Sequence, residues 1–352
     1  MPRVHFSANE IYEKCSTEQE ANTQIINKNK AVDYFIVKEV NKSRYIFVDS
    51  NRYGIVWLNA ISFMFMHIAF FIGIYRLFVF TAYKAWIFGV WISLFSAMGV
   101  TVGAHRLWSH KTFKATLPLR IVLMVFQTIA GQNDIYTWCR DHRLHHKFSE
   151  TDADPHNSKR GFFFCHVGWL LTKKHPDVVL KGKTVDCSDL LADPVVKFQR
   201  KYYLPLYIIL GVVFPIVACH YLFDCSWIDS FISSYVRYIV SLHTTWFVNS
   251  AAHMFGDQPY NPQIAPRENI FVSLVVMGSE GFHNYHHTFP WDYTISETGW
   301  KFNPMKHAIE LWAKLGLAYD LKRASPELIA RVKRNILQQS EDQHPYEKPH
   351  DF

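Results

Sequence analysis

Residues 55–80 read IVWLNAISFMFMHIAFFIGIYRLFVF, and this apolar run decides the class of fold. Its single charged side chain is Arg76. A helix of this length is long enough to cross about 30 Å of hydrocarbon. The residues before it are polar and contain no early apolar core of the signal-peptide type. We therefore predict an uncleaved membrane anchor.

Further apolar runs follow along the chain. Residues 86–104 carry no charged side chain, and we expect them to form a helical hairpin with the first run. Residues 202–223 predict a third span, and residues 227–248 a weaker fourth that contains Asp229, Arg237 and His243. Ionisable groups are costly in lipid, so Arg237 and His243 should face inward or lie near a helix end. A buried helix of a soluble layer remains an alternative for this fourth run.

Two shorter apolar runs do not reach spanning length. Residues 119–131 and 270–277 are apolar, but a transmembrane helix needs about 20 residues. We expect both runs to form helices that lie at the interface or pack beneath a cytosolic layer.

The distribution of charge indicates an orientation. The chain has 37 Lys and Arg against 30 Asp and Glu, which gives a formal net charge of +7. The basic residues are concentrated in residues 105–201, whereas the turns on the opposite side hold essentially only Lys84. Because positively charged loops stay in the cytosol, both termini and the middle segment are predicted to be cytosolic. The basic residues follow this topology, so nucleic-acid binding is not expected.

Composition narrows the class further. Charged residues make up 19% of the chain and hydrophobic residues 49%, which excludes a disordered protein. Six cysteines without CxxC spacing are interpreted as reduced thiols. We predict an all-α membrane protein with four transmembrane helices and a helical cytosolic cap. Its segments would be a cytosolic N-terminal segment (1–54), a first hairpin (55–104), cap residues 105–201, a second hairpin (202–248), cap residues 249–325 and a polar C-terminal tail (326–352), which should contain an amphipathic helix.

Histidine is the outlier in the composition, with 19 residues. Three clusters stand out: HRLWSH at 105–110, HRLHH at 142–146 and HNYHH at 283–287. At this histidine frequency the HxxHH pattern should occur by chance roughly 0.05 times in the chain, so two copies are not a coincidence. Positions i, i+3 and i+4 share one helix face, so each HxxHH cluster should present its imidazoles toward one point.

Two further spacings bear on the same site. Asn249 and His253 in WFVNSAAH are four residues apart and should share a helix face. His105 and His110 are five apart, about 140° on an ideal α-helix, so both reach one site only if the helix ends or bends there. The remaining histidines are expected to be solvated or capping residues: His5, His67, His156, His166, His175, His220, His243, His307, His344 and His350.

Nine clustered histidines exceed the ligands that one first-row ion accepts, so two metals are implied. Only Glu280 and His283 match the ExxH spacing of soluble di-iron bundles, and HExxH is absent from the sequence. An imidazole-rich site at a membrane surface points to oxygen chemistry on a lipid-like substrate rather than to hydrolysis. A histidine-rich membrane protein that binds or transports metal without catalysis remains an alternative, and it would place its ligands within the spans.

Longer strings carry a resemblance. GAHRLWSH, QNDIYTWCRDHRLHHKFSETDADPHN, RGFFFCHVGWLL, WFVNSAAHMFG and GSEGFHNYHHTFP resemble the membrane acyl-CoA desaturases of the stearoyl-CoA Δ9 type and its insect relatives, over about residues 50–320. The resemblance implies a mushroom-shaped fold of four transmembrane helices under a helical cap, in the endoplasmic reticulum membrane. It implies two iron ions (Fe2+), with Asn249 near one of them through water. The implied ligands are His105, His110, His142, His145, His146, His253, His283, His286 and His287.

The resemblance also implies a reaction. A cis double bond would be inserted into a saturated long-chain fatty acyl-CoA, with O2 and two electrons from cytochrome b5 and its NADH-dependent reductase. The sequence has no HPGG-type haem motif, so the electron donor is expected to be a separate protein. Members with the same histidine boxes differ in double-bond position. Δ9, another position such as Δ11, and a hydroxylase or acetylenase therefore stay open.

Substrate contacts are carried over by motif. The resemblance implies CoA contacts at Asn133, Arg140 and Asp141, and walls of a bent acyl tunnel at Gln132, Trp138, Thr245 and Trp246. Lys173 and Lys174 would contact either CoA or lipid headgroups. Core packing is the alternative role for the two tryptophans.

Overall fold

The computed structural model describes residues 54–80, 83–297 and 303–343. The predicted N-terminal segment lies outside these residues apart from Gly54, and so do the last nine residues of the predicted tail. The α-helices, in chain order, are α1 (Trp57–Phe80), α2 (Tyr83–Met98), α3 (Leu117–Ala130), α4 (Ile135–Phe148), α5 (Trp169–Leu171), α6 (Pro176–Gly182), α7 (Ser188–Ala192), α8 (Pro194–Tyr207), α9 (Phe214–Phe223), α10 (Trp227–Asn249), α11 (Ala251–Met254), α12 (Ile270–Val276), α13 (His283–Thr288), α14 (Pro304–Lys314) and α15 (Pro326–Gln343).

Other elements connect these helices. Three π-helices are present in the described part of the chain: the first (Gly99–Ser109) continues α2, the second (Phe164–Gly168) precedes α5, and the third (Ile208–Val213) joins α8 to α9. A 3₁₀ turn covers Ser158–Arg160. Strands β1 (Lys114–Ala115) and β2 (Ala318–Tyr319) pair antiparallel. The fold is therefore mostly helical, as predicted.

Among the residues that the structure describes, three stretches of helix are long and apolar enough to cross a membrane. They are Trp57–Arg76, Tyr83–Ser109 and Pro194–Phe223. The first three predicted spans fall within or overlap these stretches, although the third begins earlier than predicted because α8 starts at Pro194. Asp193 caps its N-terminus by accepting a hydrogen bond from the Val195 amide, and Pro194 occupies the first helical position, where its missing N–H costs nothing.

Helix α10 coincides with the predicted fourth span. It is not among the three helices whose length and composition suit a span, so a count of four stays a prediction. Its polar groups face the protein, as expected: Arg237 is buried, and Asp229 pairs with Arg76 of α1 at 2.7 Å. The Ser233 hydroxyl donates to the Ala85 carbonyl of α2 at 2.9 Å. Helices α1 and α2 therefore both pack against α10.

The first π-helix packs tightly on α3. A Cβ at Gly99, where the π-helix begins, would overlap the backbone of Phe126 and Gln127. Only glycine therefore allows this close approach of two backbones. Val102, Leu107, Leu123 and other side chains form the main apolar cluster of the molecule beside this contact.

The two C-terminal helices belong to different apolar clusters. Met305 and Ile309 of α14 belong to the main cluster, and the ribbon of β1 and β2 links α14 to the residues that follow the first π-helix. Helix α15 packs Ile329 against Tyr260 and Phe289 in a separate small cluster. This helix fits the predicted amphipathic segment of the tail. The division into hairpins and cap segments stays a prediction.

Candidate metal centre

The nine histidines singled out by the sequence lie together in two groups. Within each group the candidate ligand atoms are all within 4.8 Å of one another. The first group contains His105, His110, His142, His146 and His286, and the second contains His145, His253, His283 and His287. The two groups adjoin, because the rings of His146 and His287 stack at 4.0 Å. That these residues bind metal stays a prediction.

Each HxxHH cluster is divided between the two groups. The prediction that each cluster points toward a single site is therefore wrong. His142 and His146 of α4 belong to the first group and His145 to the second, while α13 gives His283 and His287 to the second group and His286 to the first. Residues four apart stay together, because they are nearest in angle on a helix, and the third residue diverges. Both helices therefore serve both groups.

A change of helical winding brings His105 and His110 together. Residues 99–109 form a π-helix, with the His110 amide donating to the His105 carbonyl at 3.1 Å. Hydrogen bonds from residue i to i+5 widen the turn, so residues five apart lie on nearly the same face. The two imidazoles are 5.0 Å apart between ring centroids. We expected both histidines to reach one site only if the helix ended or bent there. They reach it because this segment is wound as a π-helix.

Asn249 and His253 do not share one continuous helix. Helix α10 ends at Asn249, and α11 begins after Ser250, whose backbone is at φ −105° and ψ −73°. His253 points into the second histidine group, whereas Asn249 lines a neighbouring cavity. The expectation of one shared helix face is therefore wrong, although the two residues still border the same site.

Carboxylates hold the far nitrogens of two imidazoles in the second group. His145 Nδ1 lies 2.9 Å from Asp154 Oδ1, and His253 Nδ1 lies 2.9 Å from Glu150 Oε1. A carboxylate only accepts, so each Nδ1 carries the proton and each Nε2 is left bare. This is the arrangement that orients a metal-binding histidine and raises its basicity.

A buried ion pair supports the first group. Arg106, fully buried, donates to Glu280 Oε1 at 2.8 Å and to the Ser279 hydroxyl at 3.1 Å. The same Glu280 oxygen lies 3.8 Å from His105 Nδ1. Glu280 thus stands behind a predicted ligand and is not a member of either group, in contrast to the ExxH pattern of soluble di-iron bundles.

Burial keeps these imidazoles neutral. Removal from water is the largest cause that lowers the pKa, and the charges of neighbouring histidines add to it. The pKa is lowered well below its usual value at His110, His142, His146, His283, His286 and His287. Burial alone would raise the pKa of Asp154, but the His145 and His156 imidazoles outweigh it and hold that pKa below the usual range. The six imidazoles whose pKa is lowered well below the usual value are neutral near pH 7, so each has a lone pair free for a cation.

The donor set fits a bound cation. His283 Nε2 lies 3.0 Å from His253 Nε2 and 3.1 Å from His287 Nε2. One ring nitrogen offers a single hydrogen or a single lone pair, so it cannot bond well to both neighbours. Nothing in the described residues bonds to His145 Nε2, which is buried. A cation at the centre of the group would satisfy all of these atoms.

The spacing also matches a metal. In the first group, His286 Nε2 lies 3.0 Å from the Nε2 atoms of both His105 and His146. Two nitrogens about 2.1 Å from one ion and at a right angle to each other are about 3.0 Å apart. Imidazole ligands suit iron, zinc, copper and nickel. The residues present therefore fit two first-row metal ions.

Three supporting residues were missed by the sequence reasoning. Glu150 and Asp154 lie in the loop after α4, in the string SETDADPHN, and His156 was expected to be solvated or capping. His156 is instead buried, and its ring lies 4.3 Å from that of His145. The acidic loop next to a histidine cluster was the available signal. Its geometry could not be read because a loop has no period.

A cavity of about 830 Å³ opens beside the histidines. Its walls come from α1, the turn between α3 and α4, α4 itself, α5, the third π-helix and α10. His142 of the first group and Asn249 both line it, so the cavity reaches the histidine site. The start of α1 is bound to α5, because Asn59 Nδ2 donates a hydrogen bond to the Leu170 carbonyl at 2.8 Å.

Most of the predicted substrate residues border this cavity. Those that line it are Gln132, Asn133, Trp138, Asp141, Thr245 and Trp246. Gln132 Nε2 donates to Thr245 Oγ1 at 2.9 Å, which joins two walls. The Trp138 indole stacks on His142 at 5.0 Å. An elongated apolar ligand with a polar head would suit such a space.

The predicted cationic residues differ in their partners: Arg140 and Lys174 pair with a residue of the cavity lining, whereas Lys173 is exposed. Arg140 and Lys174 do not line the cavity but pair with Asp141, the arginine at 2.7 Å. Lys173 is exposed and is not part of the cavity wall. The two paired cations thus stand beside the cavity lining and are available to an anionic group there.

The fold and the site together define a helical protein with membrane-spanning helices and a histidine-rich site suited to metal. A sequence model of the family described as "Fatty acid desaturase" matches residues 81–295. The chain belongs to this family. The resemblance found in the sequence, and the prediction of a desaturase enzyme, are thereby confirmed.

Individual relatives agree with this assignment. The chain is 51% identical over 281 residues to a Homo sapiens protein named stearoyl-CoA desaturase, covering 79% of this chain and 78% of that protein. It is 50% identical over 286 residues to stearoyl-CoA desaturase 5 of Bos taurus, covering 80% and 84%. It is 50% identical over 281 residues to stearoyl-CoA desaturase 4 of Mus musculus, covering 79% of each chain.

Proposed function

We propose that this protein is an acyl-CoA desaturase that inserts a cis double bond at the Δ9 position of a saturated long-chain acyl-CoA. The observation that carries the proposal is the cavity of about 830 Å³ whose lining includes His142 and Asn249, beside histidines spaced for metal. The names of the relatives, stearoyl-CoA desaturases, support the substrate class. The balanced reaction consumes one O2, two electrons and two protons, removes two hydrogens from the acyl chain and yields two waters.

We propose iron as the metal, held by the nine histidines of the two groups. Two irons would supply the redox chemistry that activates O2 for hydrogen removal from an unactivated C–H bond. The chain's own part is different. Glu150 and Asp154 fix the tautomers of His253 and His145, so that Nε2 of each ring faces the site.

The cavity residues would position the acyl chain. Trp138 and Trp246 present flat apolar surfaces suited to methylenes, and the bond between Gln132 and Thr245 holds two walls together. A chain that fills this space excludes water from the histidine site and holds a defined C–C bond near it. Asn249 lines the cavity, as His142 does. We propose that it would contact one of the two irons through a water molecule.

The CoA part would lie outside the cavity. Arg140, Asp141 and Lys174 form a cluster of ion pairs at its edge. We propose that Arg140 and Lys174 bind CoA phosphate, with Asn133 and Asp141 as polar contacts and Lys173 either with CoA or with lipid headgroups. Arginine suits phosphate because its planar fork donates two parallel hydrogen bonds.

We propose cytochrome b5, reduced by its NADH-dependent reductase, as a separate electron donor. We also propose the endoplasmic reticulum membrane as the location, with four spans and with both termini and the active site cytosolic. The support is the concentration of Lys and Arg in residues 105–201, on the side that bears the first two histidine clusters.

The decisive experiment expresses the chain in yeast that lacks its own desaturase and retains cytochrome b5. Double bonds are then located by mass spectrometry of dimethyl disulfide adducts. New cis monoenes at Δ9 are expected; monoenes at another position such as Δ11 would correct the regiochemistry only. Oxygenated lipids or triple bonds would point to a hydroxylase or an acetylenase, and an iron-loaded protein without any lipid product would point to a metal-binding protein.

A matched pair of variants tests the site itself. His286→Ala removes a group member whose Nε2 is 3.0 Å from two neighbours, so bound iron and product should both fall to background. His307→Ala alters an exposed histidine that contacts Glu310, and it should keep both. Full activity of His286→Ala would show that this histidine is not a ligand.

A further inference from the structure

Three histidines outside the two groups form a chain of hydrogen bonds. His67 Nε2 of α1 lies 3.0 Å from His243 Nε2 of α10. His243 Nδ1 lies 2.9 Å from His166 Nε2 of the second π-helix. These histidines were expected to be solvated or capping, which is wrong, because His166 is buried and the other two are half-buried. We call them the histidine chain.

The direction in which the hydrogen bonds of the histidine chain are donated follows from its His67 end. His67 Nδ1 lies 2.6 Å from the Phe63 carbonyl, which only accepts, so this nitrogen carries the hydrogen. His67 Nε2 then accepts from His243 Nε2–H, and His243 Nδ1 accepts from His166 Nε2–H. The last acceptor, His166 Nδ1, lies 2.9 Å from the Ser250 hydroxyl. The tautomers are assigned from this network. The Ser250 hydroxyl also lies 2.8 Å from the Trp246 carbonyl, so its one hydrogen serves two acceptors, that carbonyl and His166 Nδ1.

The chain is neither a metal cage nor a path for protons. Its nitrogens follow one another in series, and none of the converging ligand groups in the described part of the chain includes them. One end closes on the Phe63 carbonyl, which has no proton to pass on. Burial, together with the neighbouring His243, lowers the pKa of His166 to about 4, so this ring stays neutral near pH 7.

The histidine chain lies directly behind one wall of the cavity. Phe63 and Trp246 line the cavity, and their rings are 5.6 Å apart. None of the three histidines is among the residues that line the cavity, and the Trp246 indole is 5.0 Å from the His243 ring and 5.7 Å from the His166 ring. The chain therefore connects α1 to α10 immediately behind two aromatic lining residues.

Its other end reaches the break between α10 and α11. Ser250 is fully buried, and its carbonyl accepts from the His253 amide at 3.1 Å. Asn249, the preceding residue, lines the cavity. The chain thus runs from α1 to Ser250, which lies between Asn249 of the cavity lining and His253 of the second histidine group.

We propose that the histidine chain is a positioning device that fixes this wall, and thereby selects which methylenes of the acyl chain lie beside the metal site. The inference rests on the proposed function, and it deepens it by assigning a determinant of double-bond position and chain length. Breaking the chain would let α1 shift against α10. A displacement near 1 Å is enough to change relative rates about 100-fold.

His67 offers a matched pair of variants. His67→Leu keeps a similar volume but removes the acceptor, which leaves His243 Nε2–H unpaired. His67→Gln places an amide oxygen where it can accept that hydrogen. Ser250→Ala breaks the chain at its other end and serves if His67→Leu does not fold. His220→Leu is the control, because His220 is also a half-buried histidine, bonded to the Cys225 carbonyl, but it does not border the cavity.

The readout is product distribution at equal iron content. In the yeast assay, His67→Leu and Ser250→Ala should raise minor positional isomers or altered chain lengths about tenfold relative to the main product. His67→Gln and His220→Leu should keep the wild-type distribution. An unchanged distribution in His67→Leu, or the same change in His67→Gln, would overturn the proposal.

A second measurement does not need turnover. The purified iron-loaded proteins are heated with myristoyl-, palmitoyl- or stearoyl-CoA, and the increase in melting temperature is ranked by acyl chain. Wild type and His67→Gln should share one ranking, and His67→Leu should lose it. Identical rankings in all variants would overturn the wall assignment even if wild type proved to be inactive. Lack of any monoene from wild type would instead count against the proposed function.

Discussion

At the scale of single residues, hydrogen bonds on the far side of the rings set the site. Asp154 accepts a hydrogen bond from His145 Nδ1–H, and Glu150 accepts one from His253 Nδ1–H. The opposite nitrogens are then bare and face their neighbours at about the spacing of ligands around one ion. These two carboxylates therefore control how well the second group binds metal, although neither is a member of it.

Glu150→Gln tests that control. An amide binds Nδ1–H more weakly than a carboxylate and can also present a donor to it. Affinity for iron should fall about 10- to 100-fold, measured as iron retained against a graded series of chelator concentrations. Glu310→Gln, which alters a carboxylate bonded to the exposed His307, should retain iron as wild type does. Equal retention in the two variants would contradict the role given to Glu150.

The buried pair of Arg106 and Glu280 predicts an effect on stability. Glu280→Ala would leave a fully buried guanidinium without its carboxylate, which should cost about 3–5 kcal/mol in the free energy of unfolding. The measurement is thermal unfolding of detergent-solubilised protein. Asp320→Ala breaks the exposed pair with Lys114 and should leave the melting temperature unchanged. A stable Glu280→Ala protein would show that the arginine finds another partner.

Residue identities were easier to predict than their grouping. Motifs in the sequence singled out all nine clustered histidines: the two HxxHH patterns give six, HRLWSH gives His105 and His110, and WFVNSAAH gives His253. Spacing could not show that His145 and His286 would each leave their own cluster for the other group. That outcome depends on how α4 and α13 face each other, which is a tertiary property.

At the scale of elements, the first π-helix is decisive. Apolar length predicted a helix through residues 86–104, but no local signal distinguishes a π-helix from an α-helix in GVTVGAHRLWS. The wider winding is what aligns His105 with His110. The backbone contact of Gly99 with α3 holds the start of this segment in place.

Gly99→Ala tests the contact. The added methyl group would overlap the α3 backbone, so the π-helix must move and the first histidine group should lose iron. Gly89→Ala lies in the same apolar stretch, where the nearest side-chain atom to a new Cβ is at 3.5 Å, and it should be tolerated. Iron content and melting temperature of the two purified variants provide the comparison. Normal iron content in Gly99→Ala would exclude this contact as a determinant of the site.

At the scale of the whole molecule, the pKa shifts predict an effect of acid. In the folded state, burial lowers the pKa of six clustered histidines below the value of about 6.5 expected when unfolded. The unfolded chain therefore binds more protons as the pH falls below that value. Stability is fully present above about pH 6.5 and is lost progressively below it, and metal is released in the same direction.

Melting temperature and bound iron, measured across the pH range from neutral to mildly acidic, check this effect. Both should decline together on acidification, and protein stripped of iron by a chelator should melt lower at every pH. A melting temperature that rises on acidification would contradict the sign of the effect. An unchanged melting temperature after iron removal would show that the histidine groups do not depend on a cation.

The sharing of helices between the two groups has a consequence for biosynthesis. The bond between His105 and His286 joins residues 181 apart in the chain, and α13 contributes to both groups. His283, His286 and His287 leave the ribosome after the three long apolar stretches of the described residues. Neither group is complete until α13 has been made, so we expect full metallation to follow the synthesis of those stretches, and nascent chains stalled upstream of residue 283 should bind less iron than the full-length chain.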